Sequence, residues 1–234
     1  MSTGTSLAFE RYFSLSLRGR VSYLQELVAS RRIEQGFCIK ALEWETEPLA
    51  QWFLIKATGV TKLRSALVYI LRICENPDVE FAAGAGATSL HLIGAWAVGQ
   101  IGESCTDSVL ELLKDDQEQI RRFAVDALGQ IGGAKPVVLE ALGQALENDN
   151  QEVALWAALS LAKLGEPSLP ILRRILVSKE VHRIGYALDA IIKIDGLQSH
   201  SILTQFLKNT DQELRGLYQR LIEQNKNTLG DQRV

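Results

Sequence analysis

Hydrophobic positions recur along this chain with the period of an α-helix, and the helical pattern itself repeats. Four similar segments begin at residues 90, 120, 153 and 183, so they lie 30 to 33 residues apart. In the clearest segment, hydrophobic residues fall along one helix face, at Ile120, Ala124, Ala127, Leu128 and Ile131. A repeat of this length suits one helical hairpin. The pattern therefore predicts an all-α protein, an α-solenoid of about five or six stacked helical hairpins.

Each segment has a small residue at the same place in the middle of the predicted helix. A small side chain there lets a neighbouring helix approach closely. These positions are Gly94, Ala124, Ala157 and Ala187. Three segments end in a residue able to adopt positive φ after the last helical turn, at Gly102, Gly132 and Gly165.

The four segments predict inner helices, and each is paired with an outer amphipathic helix. The predicted inner helices span 90–102, 120–132, 153–165 and 183–195, and a weaker fifth copy begins at Leu214. Outer helices are predicted at 107–113, 137–146 and 169–177, each ahead of the inner helix that follows it, and at 202–207, ahead of the fifth copy. Asp and Asn in the polar linkers can end one helix and cap the next.

The N-terminal part of the chain is less regular. The stretch 48–59 ends like the later inner helices and has Pro48 where a helix can begin. We predict preceding helices over 21–31 and 34–44, and an outer helix over 62–73 that pairs with 90–102.

A small-residue stretch, 81–88, is predicted to be an irregular connection, suited to a bend, a hinge or a binding loop. These features predict a divergent helical segment over 1–59, a repeat array over 60–226 and a flexible tail over 227–234.

Charge and cysteine content narrow the function classes. The chain has 25 Lys and Arg against 28 Asp and Glu, a net charge of -3, which disfavours a nucleic-acid-binding surface. Cys38, Cys74 and Cys105 are far apart and lack zinc-site spacing, so we interpret them as reduced thiols. No signal peptide or membrane span is indicated, and we predict a cytoplasmic protein.

The repeat resembles a known family. The string Asp115-Asp116-Gln117-Glu118-Gln119-Ile120-Arg121, followed by Ala124, Ala127-Leu128-Gly129 and Ile131-Gly132, is similar to the HEAT-like repeat first described in phycobilin lyase subunits. The resemblance covers roughly residues 60 to 222. Arg215 matches its usual arginine as Arg121 does, whereas His91, Ala154 and Ile184 depart from it. Such repeats occur in bilin lyase subunits, phycobilisome-degradation factors and many adaptors, so the resemblance implies the fold and leaves the function open.

Catalytic chemistry is not indicated. Some proteins with similar repeats are metal-dependent hydroxylases with His-Glu pairs, but His91, His182 and His200 are followed by Leu, Arg and Ser. We therefore predict no metal site, cofactor or catalytic residue, and we interpret each histidine as a surface or boundary imidazole.

Trp96 is the strongest candidate for a binding residue. It aligns with Asp126, Leu159 and Asp189 in a column that points away from the hairpin partner and would line the concave surface of a solenoid. Tryptophan is over-represented among residues that contribute most to binding energy. The equally weighted alternative is that Trp96 is buried beneath the 81–88 connection.

Other candidates flank this column. Phe123, Trp156 and Tyr186 share a position at the edge of the buried face, where packing between repeats is the favoured interpretation. Arg121 and Arg122 precede Asp126 on one helix. The predicted partner-binding residues are Trp96, Arg121, Arg122, Asp126, Trp156 and Asp189.

Two functions fit the pattern. The favoured hypothesis is a non-enzymatic scaffold or adaptor that binds another protein on its concave surface. The alternative, implied by the resemblance, is a phycobilin lyase-type or phycobilisome-associated chaperone subunit that holds a bilin or a phycobiliprotein. Neither involves nucleic acid or a membrane span, and only a bilin-holding subunit requires a chromophore.

Overall fold

The computed structural model describes residues 3–30, 33–76, 80–83, 86–177 and 180–195, together with isolated helical positions between 212 and 220. The chain divides into two compact units, unit 1 (Met1–Gly132) and unit 2 (Gly133–Val234). The division falls between two successive glycines with positive φ, Gly132 at 72° and Gly133 at 64°. The predicted tail and the fifth repeat copy lie outside the continuously described residues.

Unit 1 consists of helical hairpins and one β-hairpin. Its helices are α1 (Thr3–Ser14), α2 (Leu17–Ser30), α3 (Gln35–Trp44), α4 (Pro48–Val60), α5 (Leu67–Cys74), α6 (Leu90–Ile101), α7 (Thr106–Leu112) and α8 (Glu118–Ile131). Short 3₁₀ turns, Arg64–Ala66 and Glu103–Cys105, lead into α5 and α7. The inner helices stack in the order α2, α4, α6 and α8, and each packs on the helix before it in its own hairpin.

Unit 2 repeats this arrangement. Its helices are α9 (Pro136–Asn148), α10 (Gln151–Leu164), α11 (Leu169–Ile175) and α12 (Val181–Asp195), with a 3₁₀ turn at Glu166–Ser168. The inner helices α10 and α12 pack on each other, and the outer helices α9 and α11 pack behind them. The predicted all-α solenoid fold is confirmed by the hairpins that stack within each unit, six of them among the described residues.

The predicted helix-crossing positions are confirmed as close contacts. Ala124, Ala157 and Ala187 are fully buried. A Cβ atom on Gly94 would lie 2.9 Å from the sulfur of Cys74 and 3.1 Å from the ring of Phe123. The repeat therefore places its smallest side chains where neighbouring helices touch.

The helices also end and begin at the kinds of residue that the sequence analysis expected. Gly102, Gly132 and Gly165 follow α6, α8 and α10 with φ between 72° and 90°, a region that favours glycine. Asn150 caps α10, because its side-chain oxygen accepts a hydrogen bond from the Val153 amide at 2.9 Å. Ser89 caps α6 in the same way through the Leu92 amide at 3.2 Å.

The prediction of an irregular 81–88 connection is wrong. The chain forms two antiparallel strands here, β1 (Glu80–Ala83) and β2 (Gly86–Ser89), paired from Glu80 with Ser89 to Ala83 with Gly86. Alanine and glycine have low strand propensity, which is why the sequence favoured a loop. Pairing the two strands satisfies backbone groups that a loop would leave to water.

We expect Ala124→Leu and Ala157→Leu to destabilise the protein by about 1 to 3 kcal/mol, because both side chains are fully buried and added methylenes have no space. Ala29→Leu is the matched control, since Ala29 is exposed on α2. Thermal unfolding followed by circular dichroism measures all three variants. If Ala124→Leu and Ala157→Leu unfold at the same temperature as Ala29→Leu, the assigned repeat register is wrong.

Candidate partner-binding surface

Trp96 lies in the middle of α6 and is half-buried, with its indole against the adjacent inner helix α4. A Cβ atom on Gly59 would lie only 2.6 Å from Cζ3 of Trp96 and 3.0 Å from Cα of Ala97. Gly59 therefore leaves the space that the indole ring occupies. The structure places part of the ring in a helix–helix contact and leaves the rest accessible.

The residues of α4 that lie on the same helix face as Gly59 extend the surface beyond this contact. Trp52, Lys56 and Gly59 lie within about one third of the helix circumference, because residues three and four apart share a face. The Lys56 ammonium lies over the Trp52 ring, 4.8 Å from its centroid. The Trp52 indole N–H donates a hydrogen bond to Thr88 Oγ1 on β2 at 3.1 Å. Sequence reasoning missed Trp52 and Lys56. Their spacing from each other and from Gly59, four and then three residues, indicates that the three share one helix face.

The same face continues across α6 to α8. Leu92, Trp96 and Gly99 form the corresponding stripe of α6, and Leu92 is 42% exposed although it is a large aliphatic residue. A Cβ atom on Gly99 would lie 2.6 Å from Cβ and 2.7 Å from the carbonyl oxygen of Gln130, so α6 and α8 are in close contact there. We define the Trp96 face as Trp52, Lys56, Leu92, Trp96, Arg122 and Gln130.

Arg122 is attached to α6 through a buried histidine. His91 is only 3% exposed, so its interpretation as a surface or boundary imidazole is wrong. Its Nε2 lies 3.2 Å from the carbonyl oxygen of Asn76, and its Nδ1 lies 3.1 Å from Nη2 of Arg122. A carbonyl only accepts and a guanidinium only donates. The imidazole is therefore neutral, with its proton on Nε2, and both ring nitrogens have the partners that burial requires.

Arg121 has a role in joining helices. Its Nη1 donates hydrogen bonds to the carbonyl oxygens of Asp115 at 2.8 Å and Asp116 at 2.9 Å, in the link between α7 and α8. The charged guanidinium thereby satisfies two carbonyl groups of the linker that follows α7. Arg121 thus stabilises the linker, and its side chain is half-buried.

Asp126 is less accessible than its wheel position suggested. It is 5% exposed, and its carboxylate accepts a hydrogen bond from the Gln130 side-chain amide at 3.3 Å. The carboxylate of Asp126, one of the two acidic residues in the predicted column, is therefore largely shielded from solvent.

Trp156 and Asp189 belong to unit 2. Trp156 is half-buried on α10. Asp189 lies one turn before Lys193 on α12 and pairs with its ammonium at 2.6 Å. The structure thus brings Trp96, Arg122 and Asp126 onto neighbouring inner helices of unit 1, and it places Trp156 and Asp189 on the neighbouring inner helices of unit 2.

Candidate reactive groups lie in the core. Cys38, Cys74 and Cys105 are free thiols, all buried, and burial raises the pKa of Cys38 to about 12. Among the residues that the structure describes, no group of His, Cys, Asp and Glu side chains could hold a metal ion. The described helices also include none with the length and apolar character needed to cross a membrane.

A family model matches part of the repeat array. Residues 106–192, from α7 into α12, match the family model described as HEAT repeats. This match supports the HEAT-repeat resemblance at the level of the fold. No curated protein sequence matches the chain. Among solved structures, the chain resembles an engineered protein with 16% identity and a TM-score of 0.35, over 97% of this chain and 98% of that one. A likeness this distant carries no argument about fold or function.

Proposed function

We propose that this protein is a non-enzymatic scaffold or adaptor that binds another protein through the Trp96 face of unit 1. The observation that carries the proposal is the placement of Trp96, whose half-buried indole packs against Gly59 on the neighbouring helix and remains partly accessible to solvent. A ring fixed in this way loses little conformational freedom on binding, which lowers the cost of forming a contact. Exposed Leu92, one turn away, extends the apolar area.

The other predicted site residues have different roles in this proposal. Arg122 contributes a charged margin, while Arg121 holds the linker before α8 through its carbonyl groups and Asp126 orients the Gln130 side chain within α8. Trp156 and Asp189 are proposed as partner contacts of unit 2. The HEAT-repeat match covers residues 106–192, which include Arg121, Arg122, Asp126, Trp156 and Asp189. Stacked helical repeats commonly bind other proteins through their inner helices.

Binding of a client isolated from the native host tests the proposal. Trp96→Ala is expected to weaken the affinity by about 2 kcal/mol or more, roughly 30-fold, as for a residue at the centre of an interface. Val68→Ala is the matched control, because Val68 is 64% exposed on the outer helix α5. Isothermal titration calorimetry gives both affinities, and circular dichroism checks that each variant is folded.

Two results would contradict the proposal. Equal client affinities for the parent and Trp96→Ala proteins would show that the Trp96 face is not part of the interface. A visible absorbance band in protein purified from a bilin-producing host would instead favour the alternative of a bilin-holding subunit, for which the repeat resemblance is the sole support.

A further inference from the structure

The two indole rings of the Trp96 face differ in what their N–H groups contact. The Trp52 N–H donates to Thr88 Oγ1 at 3.1 Å, so its hydrogen bond is made within the protein. Within the part of the chain that the structure describes, the Trp96 N–H has no hydrogen-bond partner. The buried side-chain atoms that lack a partner, among these same residues, do not include it, so the group is open to water in the free protein.

The contact with Gly59 involves the other ring of the Trp96 indole. A Cβ atom on Gly59 would lie 2.6 Å from Cζ3, which belongs to the six-membered ring. The N–H belongs to the five-membered ring and takes no part in this contact. One end of the indole therefore packs against α4, and the other end presents a hydrogen-bond donor to solvent.

A partner that covers Trp96 displaces the water from this donor. An indole N–H can only donate, and a buried donor without an acceptor costs free energy comparable to a lost hydrogen bond. Tryptophan N–H groups usually have a hydrogen-bond partner when they are buried. A partner that binds tightly must therefore supply an acceptor as well as an apolar surface.

The helix that displays Trp96 favours a neutral acceptor. Helix α6 contains no Asp, Glu, Lys or Arg from Leu90 to Ile101, so it carries no charge that would select a charged group. The main-chain carbonyl is a neutral acceptor that every residue of a protein partner offers. Carbonyls in the middle of a helix are already bonded to the amide four residues later, whereas extended and turn segments can leave a carbonyl available.

Resting on the proposed function, we propose that the Trp96 face binds an extended or turn segment of the partner, one of whose main-chain carbonyl oxygens accepts the Trp96 N–H. An apolar side chain of the same segment packs on the accessible part of the ring and on Leu92, which lies one turn away and is 42% exposed. The recognised unit is thus a main-chain carbonyl beside an apolar side chain, in a part of the partner outside its helices.

Nuclear magnetic resonance of the intact ¹⁵N-labelled chain follows both indole N–H groups, whose signals are assigned with Trp52→Phe and Trp96→Phe. The Trp96 N–H is expected to exchange with water faster than the Trp52 N–H, which is bonded to Thr88. Peptides selected on the intact chain from a phage-displayed random library serve as ligands, and their binding is expected to slow the exchange of the Trp96 signal. Exchange at Trp96 that is as slow as at Trp52 before any peptide is added would overturn the inference.

Replacement of Trp96 by 3-benzothienylalanine, in which sulfur stands in place of the N–H, keeps the size of the ring and removes the donor. Synthetic forms of the selected peptides are expected to bind this protein roughly tenfold more weakly, as for loss of one hydrogen bond in an interface. The same replacement at Trp52 is the matched control and is expected to leave the affinity unchanged, because that N–H is paired with Thr88. Circular dichroism checks that both proteins are folded.

Three outcomes separate this inference from the proposed function. Parent-like peptide affinity in the protein with 3-benzothienylalanine at position 96, together with lost affinity in Trp96→Ala, would overturn the inference and leave protein binding through the Trp96 face in place. An affinity that falls steeply between about 0.1 M and 1 M salt would identify a carboxylate as the acceptor and overturn the carbonyl assignment, because salt screens charged contacts. If Trp96→Ala changes neither peptide affinity nor client affinity, the proposed function itself is wrong.

Discussion

Glu45→Ala is expected to destabilise unit 1 by about 3 to 5 kcal/mol, because the substitution removes a buried carboxylate that several groups share. Glu45 is 3% exposed at the junction of α3 and α4. Its Oε2 accepts a hydrogen bond from the Tyr12 hydroxyl at 2.5 Å and pairs with Nη1 of Arg20 at 3.3 Å. Its Oε1 accepts the backbone N–H groups of Thr46 and Glu47, each at 3.1 Å.

This carboxylate ties the first helical hairpin to the second. Tyr12 lies on α1 and Arg20 on α2, whereas the backbone donors Thr46 and Glu47 lie in the link that leads into α4. Burial, with the hydrogen bond to Glu45, raises the pKa of Tyr12, so its hydroxyl remains a proton donor at neutral pH. Removing the carboxylate leaves buried donors without an acceptor, and the guanidinium of Arg20 without its counter-charge.

Urea unfolding followed by circular dichroism measures the effect. Glu43→Ala is the matched control, because Glu43 is an exposed glutamate on the same helix. Tyr12→Phe is expected to give a smaller loss, about 1 to 2 kcal/mol, since Arg20 and the backbone donors remain. A Glu45→Ala protein as stable as Glu43→Ala would show that this cluster does not stabilise the N-terminal helices.

Gly99→Ala is expected to destabilise the protein by about 2 to 3 kcal/mol, although alanine is the better helix former by about 1 kcal/mol. The added Cβ would lie 2.6 to 2.8 Å from Cβ, the carbonyl oxygen and the carbonyl carbon of Gln130. Backbone atoms cannot rotate away, so α6 and α8 must separate. This separation also disturbs the Trp96 face, which crosses the same contact.

Gly143→Ala is the matched control for this prediction. Its Cβ would also meet an atom at 2.6 Å, but that atom is Cγ2 of Ile171, and the next is a guanidinium nitrogen of Arg174 at 3.2 Å. Both are side-chain atoms of residues that are not fully buried, and they can shift where backbone atoms cannot, so we expect a change of no more than about 1 kcal/mol. Equal losses in the two variants, measured by urea unfolding, would refute the assignment of Gly99 as a backbone contact.

The sequence predicted the helices well because their pattern repeats. The segment 90–102 became α6 (Leu90–Ile101), and the small residues Ala124 and Ala157 are fully buried as expected. Periodicity describes the faces of one helix, and repetition shows which face is shared by all copies. Both signals depend only on residues within a helix.

The features that sequence reasoning missed depend on neighbouring elements. Asp126 lies away from its hairpin partner, yet it is 5% exposed, because a wheel drawn against one helix omits the others. His91 is buried because Asn76 and Arg122 satisfy its two ring nitrogens. The contact between Trp96 and Gly59 likewise joins residues of two different helices. The periodicity of either helix alone does not indicate it. These contacts define the candidate surface, which is why the sequence located Trp96 but not its surroundings.

Site-specific photo-crosslinking tests the central claim most directly, because it reports which face a client touches. A benzophenone amino acid is introduced in place of Leu92, which is 42% exposed on the Trp96 face, or in place of Val68, which is 64% exposed on an outer helix. After irradiation with the client isolated from the native host, the protein carrying the probe at position 92 is expected to crosslink and the one with the probe at position 68 is not. Crosslinking from position 68 alone would contradict the account and move the interface to the outer helices.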